Sequence, residues 1–139
     1  MAILRERRQA IVSTNTQEVE FLMWRANQTD LHGDLMTSKA LQGMAESLTE
    51  GMKISLNWDF TNMIGHVVRT RIDGDDLYVT AGIDAACVRK EMRDGKLTLR
   101  PGFVMTLGWK DGEENYIIDE CEKAFVSIVP KPLPLPGEQ

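Results

Sequence analysis

Hydrophobic and polar residues along this chain fall mostly into the two-residue period of β-strands, interrupted by one clear helical stripe. Met52, Ile54, Leu56 and Trp58 alternate with Lys53, Ser55 and Asn57, the pattern of a strand with one buried face. Residues 63–72 and 76–83 read as a hairpin around Asp73-Gly74-Asp75, and Leu77, Val79, Ala81 and Ile83 alternate cleanly on its second arm. The run Glu18-Val19-Glu20-Phe21-Leu22-Met23-Trp24 is strand-like, with an apolar second half suited to a buried sheet. Further strands are predicted at about 103–110 and 114–121, joined through Asp111-Gly112, and a last apolar strand at 124–129.

The helical stripe is Leu41, Met44, Ala45 and Leu48, at i, i+3, i+4 and i+7. Thr37 or Ser38 can cap its start, and Gly51 follows its end. Asp84 can cap a second helix carrying Ala85, Val88 and Met92 and closed by Gly95. Strand, helix, strand, hairpin, helix and three strands predict an α+β fold: a mainly antiparallel β-barrel or sheet flanked by two helices. Its expected core is Leu41, Met44, Leu48, Ile54, Leu56, Leu77, Val79, Ile83, Val126 and Ile128. An N-terminal arm (1–16) precedes one globular domain (17–129), and a Pro-rich tail (130–139) follows it. The tail holds four of the five prolines, cannot enter a sheet interior and is expected to be extended.

A chain of 139 residues fits one domain able to bury its own core. The net charge of −5 argues against a general nucleic-acid binder. Three arginines (Arg5, Arg7, Arg8) against Glu6 give the first ten residues a charge of +2, leaving −7 on the other 129. That basic arm suits a contact element, and a solvated terminus fits it equally well. Leu133 and Leu135 alternate with prolines and give the tail an apolar surface for a neighbour. No apolar run approaches the roughly 18 residues a membrane span needs, and MAILRERRQA has no apolar leader region. Cys87 and Cys121 are too few for a disulfide framework and read as free thiols of a reducing compartment.

Candidate chemistry is sparse. Asp30-Leu31-His32-Gly33-Asp34 offers metal-ligand types, but no second cluster completes a shell, so the segment is read as a loop whose acids cap the helix after it. His66 lies in an apolar strand without a placed nucleophile or orienting acid. Ser127 lies within Phe125-Val126-Ser127-Ile128-Val129, outside any G-x-S-x-G elbow, and reads as a satisfied core hydroxyl. No phosphate-binding loop or dinucleotide fingerprint occurs, and no cofactor or metal is expected.

Taken in order, several segments resemble the prohead maturation proteases of tailed bacteriophages, which share a fold with the herpesvirus assembly proteases. Thr29-Asp30-Leu31-His32-Gly33-Asp34-Leu35-Met36 is similar to the family's Asp-x-x-Gly-Asp-Val loop before a helix. Ile54-Ser55-Leu56-Asn57-Trp58-Asp59 resembles the strand ending in the family's catalytic His-Asp pair, and Met63-Ile64-Gly65-His66-Val67 the strand after it. Asp76 to Ile83 resembles the strand after a D-G turn. Gly95-Lys96-Leu97 through Pro101-Gly102-Phe103 is similar to the segment carrying the serine nucleophile, and Phe125-Val126-Ser127-Ile128-Val129 to the closing strand.

The resemblance puts Trp58 where the family has its histidine and Arg100 where it has its serine. An indole cannot act as a base, and a guanidinium cannot attack a carbonyl. The resemblance therefore implies a catalytically inactive structural protein of a phage head, most of all a capsid decoration or cement protein. Its implied partners are the major capsid protein or another head protein and further copies of itself, without specific nucleic acid or membrane. Its implied location is the virion. The alternative is an active protease whose site has moved to His66 and Thr106, the nearest imidazole and hydroxyl.

Overall fold

Period-two segments dominate the fold even more than the sequence pattern predicts. The computed structural model describes residues 16–87, 97–112, 114–130 and 133–138. Seven strands form one sheet: β1 (Thr16–Arg25), β2 (Leu35–Met36), β3 (Lys53–Leu56), β4 (Asp59–Asp73), β5 (Asp76–Asp84), β6 (Leu97–Lys110) and β7 (Tyr116–Pro130). Their order is β1-β5-β4-β3-β7-β2, with β6 paired to β7. The hairpin pairs β4–β5 and β6–β7, together with β1–β5 and β3–β4, are antiparallel; β7 runs parallel to β2 and β3.

β7 organises the sheet. Ile117 and Ile118 pair with β2, Val126 to Ile128 pair with β3, and β6 follows the opposite edge of β7 along its length. The separate strands expected at 114–121 and 124–129 are thus one strand, which bends where Lys123 takes φ +55°. Pro101 lies in β6, a strand paired on one side only, where a residue without an N–H is tolerated.

The one substantial helix described, α1 (Ser38–Ser47), lies against β7 and buries Ala40, Leu41, Met44 and Ala45. Thr37 is its cap: the Thr37 hydroxyl accepts from the Ala40 N–H at 3.2 Å. The expected α+β fold with two flanking helices is corrected accordingly. Strand makes up 63% of the described residues and helix 11%, and the sheet is a curled half-barrel. The sheet curls until β1 approaches β6, and α1 packs on β7, so among the described residues one helix and the sheet's own curvature enclose the core. Of the second predicted helix, Ala85–Cys87 forms one helical turn, and Val88 to Gly95 lie outside the described residues.

Nine of the ten expected core residues are buried. Leu56 is only half-buried, because register irregularities on both sides of Ser55 break the alternation and turn Ile54 and Ser55 both inward.

Candidate functional site

The hairpin from β3 to β4 turns through only two residues, Asn57 and Trp58, with φ +50° and +63°. Both central residues of such a turn need positive φ, which matches the right-handed twist of the strands. A tryptophan there is costly, because its Cβ crowds the backbone in the left-handed region. The sequence pattern placed Trp58 in a strand; the structure places it in this turn, 37% exposed.

Two contacts from β7 hold the turn. The Asn57 N–H donates to the Ile128 carbonyl at 2.7 Å, and the Trp58 N–H donates to the Ser127 hydroxyl at 2.9 Å. The buried Ser127 hydroxyl also accepts from Ser55 Oγ at 2.9 Å and donates to the Ser55 carbonyl at 3.1 Å. Ser127 is thus the satisfied hydroxyl that its apolar strand implies, and its partners include the backbone of the candidate site.

Arg100 stands opposite Ser127 on β6. Ser127 therefore lies between Trp58 on one neighbouring strand pair and Arg100 on the other, and both line one cavity of about 440 Å³. Trp24, Leu31, Phe103, Met105, Tyr116, Ile118, Pro101, Leu133 and Pro134 supply most of its wall, with Asp30, His32 and Asp34 from the loop before β2. Phe125 supports the Trp58 side: its ring meets the Trp58 ring edge-on at 5.9 Å and the Phe60 ring at 5.4 Å. Phe125 also lies over Gly102, where a Cβ would collide with the ring.

Arg100 is 7% exposed. Its Nη1 donates to the Leu99 carbonyl at 2.8 Å and to Thr98 Oγ1 at 3.2 Å, and its Nη2 donates to the Leu133 carbonyl at 2.8 Å. Its Nε is buried without an acceptor. Burial pushes the pKa of the guanidinium below its ordinary value, an effect that the charge of Glu138 opposes.

The acidic loop proves to be architectural. Asp30 Oδ1 accepts from the N–H groups of His32 and Asp34, and Asp34 Oδ1 accepts from the Tyr116 N–H at 2.8 Å. Gly33 makes the bend with φ +83°. These carboxylates brace the loop and tie it to β7; the helix cap is Thr37, so the expectation that the acids cap α1 is corrected. Among the described residues no cluster has a metal-binding set of side chains.

The remaining sequence candidates scatter. His66 packs its ring on Gly82 and lines a cavity with Lys53, Asn62 and Asp84. Thr106 lines a different cavity, with Lys39, Glu120 and Cys121. The structure does not bring the two together as an imidazole–hydroxyl pair. Cys121 is buried, its Sγ lies 3.5 Å from the Ala40 carbonyl, and burial pushes its thiol pKa up. Arg5, Arg7 and Arg8 lie outside the described residues.

The tail folds back on the body. Leu135 is 7% exposed, and the Gly137 N–H donates to the Thr29 carbonyl at 2.9 Å. Leu133 is 39% exposed and forms part of the cavity wall. Leu135 thus already contacts its own domain, whereas Leu133 retains an outward surface. The sequence reading missed Trp24, Leu31, Phe103 and Met105 as cavity residues; they look like strand and loop residues in the pattern, and only the curl of the sheet assembles them. Compared with known proteins, the chain matches no family model, no curated protein and no solved structure.

Proposed function

We propose that this chain is a catalytically inactive relative of the prohead maturation proteases and a structural protein of a tailed-phage head, acting in capsid decoration or cementing. The observation that carries the reading is the meeting of Trp58 and Arg100 at one cavity, across Ser127. The pairing of β7 with both β3 and β6 brings these two residues, 42 positions apart, to one site, as a degenerate catalytic pair requires. Neither side chain can serve as general base or nucleophile.

A role in assembly draws support from β6. Val104, Met105, Leu107 and Trp109 are all exposed on its outer half, an apolar edge strand of the kind that oligomers cover. The partners in this reading are the major capsid protein or another head protein and copies of this chain, and symmetry multiplies weak contacts into avidity. The site is the virion. The separation of His66 from Thr106 into different cavities gives a relocated protease no support.

Quantifying the chain in mature heads tests the proposal. A decoration protein persists there in many copies. Loss of the chain on maturation, together with specific cleavage of the capsid precursor by the purified protein, would overturn it.

A further inference from the structure

The cavity at Trp58 and Arg100 has a composition that the assembly role does not use. Its walls are largely apolar, and its volume falls within the range of small-ligand sites. One buried guanidinium borders it, held only by neutral oxygens: two carbonyls and a threonine hydroxyl. No carboxylate lies within ion-pair distance of Arg100 among the described residues. The charge of Glu138 acts on Arg100 only from beyond ion-pair distance. A buried charge without a contacting counter-ion is unfavourable, and an anion arriving at the guanidinium relieves that cost.

The geometry of the guanidinium narrows the anion. A carboxylate pairs side-on with the Nε and Nη2 edge of arginine. In Arg100 the Nε end of that edge has no acceptor, and Nη2 reaches only the carbonyl of Leu133. The Leu133 carbonyl gives way to an arriving carboxylate, and Leu133 itself is 39% exposed on the cavity wall. Asp30 and Asp34 also line the cavity, and His32 accompanies them. Their two negative charges disfavour a dianion there, and select a ligand with one negative charge and an uncharged body.

We propose that this cavity binds a monoanionic carboxylate with an apolar body, the carboxylate on the Nε edge of Arg100 and the body against Trp24, Trp58 and Phe103. The site does not depend on the virion assignment: it follows from the buried guanidinium, the apolar walls and the two carboxylates of the loop. The same chemistry is carried by a free aromatic or aliphatic acid and by the C-terminus of an apolar peptide.

Titration of the full chain followed by the tryptophan indole N–H resonances tests this. The probes are 3-phenylpropionate, its neutral amide, phenyl phosphate, and N-acetyl-Leu-Phe with a free or amidated C-terminus. The expected result is saturable shifts at Trp24 and Trp58, with Trp109, which is 51% exposed and outside the cavity, unmoved. Each amide should bind at least about tenfold more weakly than its acid, because it lacks the charge-assisted pair. Phenyl phosphate should also bind more weakly than phenylpropionate. Tighter binding of the dipeptide acid assigns the site to peptide termini, and tighter binding of phenylpropionate assigns it to small acids. Arg100→Gln should abolish the preference for acid over amide. Equal affinity of acid and amide for the native chain, or no shift with either acid at 10 mM, on the order of the weakest specific fragment binding, overturns the proposal.

Discussion

Replacing Ser127 with alanine perturbs the one side chain on which the Trp58 turn rests. The Ser127 hydroxyl accepts two hydrogen bonds and donates a third, all at the junction of β3, β7 and the turn. Removing it leaves the buried Ser55 hydroxyl and the part-buried Trp58 N–H without their acceptor. A buried donor left unpaired costs roughly 1–3 kcal/mol, and a part-buried one less. Ser55 can rotate toward another acceptor, but the Trp58 N–H is fixed by the backbone, so the net loss expected for Ser127→Ala is about 2–4 kcal/mol. That is a large share of the roughly 5–15 kcal/mol that stabilises an ordinary domain. Ser55→Ala leaves Ser127 bonded to Trp58 and to the Ser55 carbonyl, and should cost only about 0.5–1.5 kcal/mol. Urea unfolding gives both values, and the double mutant gives their coupling. Hydrogen exchange at the Trp58 amide reports the turn directly. If Ser127→Ala lies within about 0.5 kcal/mol of the parent, as a surface change does, and the Trp58 amide stays protected, the reasoning fails.

Ile54→Ala should cost about 2–5 kcal/mol and Leu56→Ala distinctly less, since Ile54 is fully buried and Leu56 is not; reversed costs in chemical denaturation would show that the strand is phased differently. Deleting residues 133–139 should lower the melting temperature, because Leu135 loses burial worth about 1.5–3 kcal/mol before the entropy of the freed chain is subtracted; an unchanged melting temperature would show that the tail adds nothing to the fold. Cys121 should resist alkylation in the native chain and react on unfolding, since its sulfur is buried and the same burial disfavours the reactive thiolate. Glu20 on β1 pairs with Arg71 on β4, and the hydrogen bond from Arg71 holds its carboxyl below the usual range. A depressed folded-state pKa means that the contribution of Glu20, present at neutral pH, is lost as pH falls through that lowered value. Arg71→Gln should therefore raise the Glu20 pKa measured by NMR.

The sequence by itself determined the local elements. The 3.6-residue stripe from Leu41 to Leu48 and the Thr37 cap specify α1, and the Gly74 turn with its alternating arms specifies the β4–β5 hairpin, because each depends on residues only a few positions apart. Tertiary structure decided the rest. β7 became one strand because β2, β3 and β6 all pair with it, a choice that no local period encodes. Trp58 left its expected strand because β7 supplies acceptors for a two-residue turn at positive φ. Leu135, read from the sequence as a surface for a neighbour, is buried because the tail turns back on the domain, where the Gly137 N–H bonds the Thr29 carbonyl. The cavity, with its buried and incompletely bonded guanidinium, exists only once β1, β6, β7, the loop and the tail converge, since burial is a property of the closed sheet and not of any segment within it.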